Sequence, residues 1–195
     1  MIKKTNIPNA LLAIFNNIMP LEESLIVEIG EIIEYKTLKK RELLLKEGQT
    51  SKHIYFIEKG LIRSFYTDID TEITTWFMKE NDLIISVKSF FMQLPSVESL
   101  EAIEDCELYY ISYQSLHMLY TKYQSFNTIG RILTQHYYML SEERLLNLRK
   151  KAAISRYKHL LQYHPQIIAR SPLKFIASYL GIEMETLSRL KAKRI

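Results

Sequence analysis

The residues best suited to chemistry stand near the end of the chain, in "GIEMETLSRLKAKRI" from Gly181 to Ile195. Glu185 and Arg189 are four apart, so on a helix they share one face. A glutamate accepts from cytosine N4, and an arginine grips guanine O6 and N7, each worth about 1–3 kcal/mol of base discrimination. Thr186, Ser188, Lys191, Lys193 and Arg194, with Ser171 upstream, are of the types that hold phosphates. Phosphate contacts give affinity and register without sequence. An exposed Glu–Arg helix pair is the plain alternative, so the reading depends on the elements that present these side chains.

"SPLKFIASYLG" puts Ser171 where a helix N-cap belongs and Pro172 at the first helical position. Gly181 can take the left-handed conformation of a tight turn. "IEMETLSRLKAKRI" then starts a second helix, and Ile176, Ala177, Leu180, Ile182, Leu187 and Leu190 supply a buried set. Two short helices joined by a glycine turn form a helix-turn-helix, whose second helix enters the major groove. An αα-hairpin of pure packing value has the same pattern. Charge favours the reading head: residues 144–195 hold 12 Lys and Arg against only Glu183 and Glu185, while residues 1–143 hold 14 against 20 acids. A basic end on an acidic body is the footprint of a polyanion binder.

Other chemistries find little support. Cys106 is the single cysteine, which excludes an internal disulfide and cysteine-rich metal sites, and a buried inert thiol is expected. His53, His117, His136, His159 and His164 are too dispersed for the clustered ligands of a cupin-like metal enzyme. No Gly-rich phosphate loop or nucleophile–histidine spacing stands out. The expectation is therefore no enzyme, no metal and no cofactor. No apolar run is long enough to span a membrane and no signal peptide is evident, so a cytoplasmic protein without membrane contact is expected.

Upstream, residues 9–29 read as two short helices around Pro20. From Ile32 to Asp82 the chain turns to short β-branched and aromatic runs bounded by Gly48-Gln49, Lys59-Gly60, Asp68-Ile69-Asp70 and Asn81-Asp82. Strands at this spacing predict a sandwich or barrel. "ISVKSFFMQ" predicts a short interrupting helix, and "SLEAIEDCELYYIS" returns to strands. Residues 112–148 predict a long helix with Ile129, Leu133, His136, Tyr137 and Leu140 on one face. Their near-heptad recurrence favours that face as a seam with a second copy, with packing on the chain's own core as the alternative.

This order resembles the Crp/Fnr-type bacterial transcription regulators over nearly the whole chain. The resemblance rests on "EGQTSKHIYFIEKGLIRSFY", "ENDLI", "AIEDCELYYIS" and "LKFIASYLGIEMETLSRL". It implies an α+β chain with three parts. A jelly-roll-like β-roll sensor of the double-stranded β-helix type occupies 1–111, a long dimerisation helix 112–148, and a helix-turn-helix 149–195 whose wing is short or missing, since the chain stops at Ile195. It also implies a homodimer that reads a two-fold symmetric DNA site, with RNA polymerase as a further partner. The family's Glu-Thr and following Arg fall on Glu185, Thr186 and Arg189, while another contact position, often Arg, is Met184.

The family's cyclic-nucleotide signature is a Gly-Glu pair and a later Arg with Ser or Thr. Here Ile85-Ser86 and Ser96-Val97 stand there, and no Arg occurs between Arg63 and Arg131. Lys88 could offer a point charge but not the arginine fork. Cyclic AMP is therefore not expected as effector. Trp76, Phe77, Ser86, Lys88, Phe90 and Ser96, with Phe91 and Met92, are the candidate lining of a pocket for an unknown small molecule, or for none. A dimeric ligand-binding or interaction module with weakened DNA binding is the alternative.

Overall fold

The structure, a computed structural model, describes residues 7–150 and 152–192. Two helices, α1 (Asn9–Ile18) and α2 (Glu23–Ile32), precede eight strands: β1 (Glu34–Leu38), β2 (Leu43–Leu45), β3 (His53–Lys59), β4 (Ile62–Asp68), β5 (Thr71–Met78), β6 (Leu83–Ile84), β7 (Ser99–Ala102) and β8 (Cys106–Ser112). The helix α3 (Val87–Met92) interrupts them between β6 and β7. The strands form two four-stranded antiparallel sheets, ordered β1-β8-β3-β6 and β2-β7-β4-β5. This is the expected jelly-roll-like β-roll. Alternating side chains from both sheets meet inside it, with Leu38, Ile57, Ile62, Met78, Leu100 and Leu108 in one core.

"HIYFIEKGLIRSFY" is strand, turn, strand, and its two strands, β3 and β4, lie in different sheets. Gly60 makes the corner at φ +110°, and a Cβ there would stand 2.5 Å from Cys106 Sγ. Only glycine accommodates both the dihedral and the approach. Cys106 is the expected buried thiol, and burial pushes its pKa up to about 11.

The helical region 112–148 is not one rod. It divides at Tyr123 into α4 (Tyr113–Lys122) and α5 (Gln124–Arg149). Ser112 caps α4 by accepting the Ser115 N–H at 3.0 Å. The face expected to form a dimer seam turns inward. Ile129 is fully buried with Leu25, Ile29, Leu119 and Phe126, and Leu133 packs against the same cluster. The Tyr137 hydroxyl accepts the Leu83 N–H at 2.7 Å, and His136 and Leu140 line a groove shared with Phe77 and Leu160. The heptad-like spacing thus records packing of α5 on its own roll and on α1 and α2.

Beyond α5, α6 (Ala153–Tyr163), α7 (Pro165–Arg170), α8 (Leu173–Leu180) and α9 (Met184–Ala192) complete the described chain. Their core of Tyr157, Leu160, Ile167, Ile176, Ala177, Leu180 and Leu187 also includes Leu61, Phe77 and Ile103 of the roll. The C-terminal helices therefore share a core with the roll, where the sequence led us to expect a separate 149–195 unit. Polar contacts close the same interface. Ser178 Oγ accepts the Thr74 N–H at 2.8 Å and donates to the Glu72 carbonyl at 3.1 Å. The Arg170 guanidinium pairs with Glu80 at 2.7 Å and with Glu104 at 2.5 Å.

The Arg170 contact holds the Glu80 carboxyl down to about 2, with the Gly60 N–H also donating to it. A depressed carboxylate contributes stability that is full above its unfolded value of 4.5 and is lost as pH falls toward 2. Glu80→Gln should therefore lower the melting temperature at pH 7 and flatten its fall across that acid window. Thermal unfolding of both proteins from pH 7 to pH 2.5 measures this.

Candidate nucleic-acid interface and sensor pocket

α8 and α9 form the predicted helix-turn-helix. Gly181 adopts φ +62°, the Ile182 N–H reaches the Ala177 carbonyl at 3.1 Å, and the Gly181 N–H reaches Ser178 at 3.0 Å. This bond pair is a Schellman closure, which ends α8 and sets the angle to α9. Arg156 fixes the same end by donating to the carbonyls of Leu180 at 2.8 Å and Gly181 at 3.2 Å. Cations there also complement the helix dipole.

Leu187 anchors α9 and Leu190 packs beside it, so the opposite face is turned outward. Glu185, Ser188, Arg189 and Lys191 are exposed on that face, Thr186 is half-buried, and Met184 is exposed next to them. No ion pair links Glu185 to Arg189 among the described residues, leaving both heads available to an external partner. Lys193, Arg194 and any wing lie outside the described residues. Ser171 is a correction: it follows the end of α7, Pro172 occupies the N-cap position of α8, and the Ser171 hydroxyl is buried without a partner. It presents nothing to a phosphate.

The basic excess of the C-terminal region is partly structural. Arg144 stacks on Tyr179 with its guanidinium 3.5 Å from the ring centre and donates to the carbonyls of Tyr179 and Thr75. Arg156 and Arg170 are engaged as described above. Nothing in the sequence separates these three from the basic residues that stay exposed, such as Lys158, Lys174, Arg189 and Lys191.

The expected pocket set disperses. Phe90 is fully buried core beneath α3, and Lys88 is exposed on that helix. Phe77 faces the helix-turn-helix and meets Tyr179 with ring centres 5.1 Å apart. Ser86 and Ser96 are buried and bond each other through their hydroxyls at 2.9 Å, while Ser96 also donates to the Glu98 carbonyl at 2.7 Å. Of that set Trp76 and Phe91 line the main cavity, together with Ser64, Thr75 and Glu98, which the sequence reading missed. The Glu98 carboxylate accepts from the Ser64 hydroxyl, which also receives the Thr75 hydroxyl at 3.0 Å. An acid immediately before β7 carries no local signal of an inward role.

These residues do not fit a cyclic nucleotide. The two serines satisfy each other, no arginine occurs from residue 64 to residue 130, and a carboxylate occupies the roll wall. The phosphate would lose a charge-assisted contact and meet a like charge instead. Titration calorimetry with cyclic AMP and cyclic GMP should show no saturable heat at micromolar ligand; a micromolar dissociation constant would contradict this assignment.

Among the described residues, no group of three or more His, Cys, Asp or Glu side chains could hold a metal ion, and no helix is long and apolar enough to cross a membrane.

Comparison with known proteins bears on the whole arrangement. The family profile "Cyclic nucleotide-binding domain" matches residues 35–123, from β1 to Tyr123 between α4 and α5. No match is found among curated protein sequences. Among solved structures, FixK2 from Bradyrhizobium japonicum is 18% identical with a TM-score of 0.70, over 83% of this chain and 84% of that one. A structure described as a transcriptional regulator of the Crp/Fnr family, from Eubacterium rectale, is 16% identical with a TM-score of 0.72, over 92% and 85%. CLP from Xanthomonas campestris, described as a c-di-GMP-responsive global regulator, is 17% identical with a TM-score of 0.66, over 88% and 91%. At such identities the likeness is one of fold, and it extends from the roll into the C-terminal helices. Residues 35–123 thus match the cyclic nucleotide-binding domain model, and the chain carries them in a fold like that of the Crp/Fnr-type regulators.

Proposed function

We propose that this chain is a DNA-binding transcription regulator of the Crp/Fnr type that acts as a homodimer and reads a two-fold symmetric site with α9. The observation that carries the reading is the orientation of α9. Its apolar side is spent on the core through Leu187, while Glu185, Ser188, Arg189 and Lys191 face outward directly after the Schellman turn. The N-terminal part of such a helix reaches base edges in the major groove.

The outer face of α5 supports the dimer. Gln135, Met139, Glu142, Leu146 and Arg149 are exposed and alternate at spacings of four and three, with Tyr138 and Leu145 beside them. Met139 is 61% exposed, Leu146 62% and Tyr138 67%. An apolar stripe at heptad spacing on a helix whose other side is already buried is the pattern of a two-stranded seam. The seam expected at Leu133 and Leu140 is replaced by Met139 and Leu146, one face around the same helix.

Met139→Glu with Leu146→Glu should convert a dimer into a folded monomer in sedimentation. Leu133→Glu should instead lower the melting temperature, because Leu133 packs against the protomer's own core. A wild-type protein that sediments as a monomer removes the dimer from the proposal.

DNA reading is tested on a site selected from random duplexes. Arg189→Ala should cost about 1–3 kcal/mol per half-site and relax discrimination at one base pair, whereas Lys191→Ala should weaken all sequences alike and lower the salt slope by about one per lost contact. Equal loss on every sequence for Arg189→Ala would reduce α9 to a backbone contact.

A further inference from the structure

A cavity of about 480 Å³ lies between the roll and the helical layer. Its walls come from Phe15 and Ile29 on the N-terminal helices, Trp76 and Tyr109 on the two sheets, and Leu133 and Tyr137 on α5. The volume lies in the range that encloses a small organic molecule, and the lining is predominantly apolar, as in such sites. Val87, Phe91 and Tyr138, all exposed, stand at its rim and leave a way in.

The charges of the lining restrict what can enter. Among the described residues no lysine, arginine or histidine borders the cavity, and Glu98 is the one charged side chain there. An anion would be stripped of water against apolar walls with a carboxylate in view and no cation to pair with. Hydrogen-bond donors are present. Tyr137 Oη accepts the Leu83 N–H at 2.7 Å, so its own proton remains to be given. The Tyr120 hydroxyl lies against Gly130, also in the wall. Burial pushes Tyr137 up to about 12 and raises Tyr120 as well, so both stay neutral donors near neutral pH.

We propose that this cavity binds a neutral, largely apolar small molecule with one hydrogen-bond acceptor, such as a ketone, ester or quinone oxygen, which takes the proton of the Tyr137 hydroxyl. The consequence for DNA rests on the regulator reading above, but the binding does not. β5 lends Thr75, Trp76 and Met78 to the cavity wall. The same strand seats α8 through Thr74 on Ser178, Thr75 under Arg144 and Phe77 against Tyr179. A molecule that moves β5 or α5 therefore moves the support of α9.

Trp76 is the only tryptophan in the chain and lines the cavity, so its emission reports on occupancy. The experiment titrates the full-length protein, without DNA, with 2-decanone and with decanoate at pH 7.5. The first should change Trp76 emission saturably, and the second should bind at least tenfold more weakly. Leu133→Phe, which adds volume inside the cavity, should weaken 2-decanone about tenfold with the fold retained by circular dichroism. Tyr137→Phe should weaken it several-fold. Decanoate binding as tightly as the ketone, no saturable response to the ketone, or a ketone affinity unchanged by Leu133→Phe would each overturn the proposal. Because DNA is absent, a failure here is distinct from a failure of α9 to read DNA.

Discussion

The guanidinium of Arg63 is the contact around which the interface between roll and C-terminal helices is organised. Its side chain is 1% exposed, yet it carries a full charge. Glu101 on β7 receives its Nε at 2.6 Å, and Glu72 on β5 receives Nη2 at 2.5 Å. Its flat faces lie against Phe65 at 4.0 Å and Phe175 of α8 at 3.5 Å. Burying an ion costs several kcal/mol unless its partners are well placed, and here two carboxylates and two rings provide them. The charge thus acts as a geometric constraint. Phe175 must sit over Arg63, which sets where α8 crosses the β4–β5 hairpin.

The rest of the interface follows from that placement. With α8 in position, Ser178 completes the hydrogen bonding of β5 and Tyr179 receives Arg144 from α5. Arg170 on α7 reaches the acids on the loops beside Gly60 and Cys106. Three arginines from three elements tie the C-terminal helices to the roll of their own chain. The same strand, β5, carries the cavity on one side and α8 on the other.

Much of this was legible in the chain where the signals are local. Gly181 and the apolar set from Ile176 to Leu190 announced the turn and its two helices, since a left-handed closure and a 3.6-residue period act within a few residues. The strand runs announced a sandwich or barrel for the same reason, through their alternation and turn residues, and the resemblance narrowed it to a roll. The long helix misled us in an instructive way. Ile129, Leu133, Tyr137 and Leu140 do form an apolar face, but periodicity marks burial and is silent on the partner. The face was claimed by the chain's own core, while Met139 and Leu146 stayed outside.

The sequence by itself determined the kinds of element and their order, the glycines at Gly60 and Gly181, the acidic body with a basic end, and the lack of an arginine where a cyclic phosphate would need one. These are properties of composition and of neighbours within a turn or two. Only the tertiary structure decided which basic residues are spent inside and which are offered outward, that β3 and β4 part into separate sheets, and that Glu98 rather than Lys88 faces the cavity. Each of these depends on residues tens of positions apart, as Arg170 meets Glu80 and Ser178 meets Thr74. Such pairings arise when buried polar groups must find partners in a closed core, a requirement that acts through space and leaves no periodic trace along the chain.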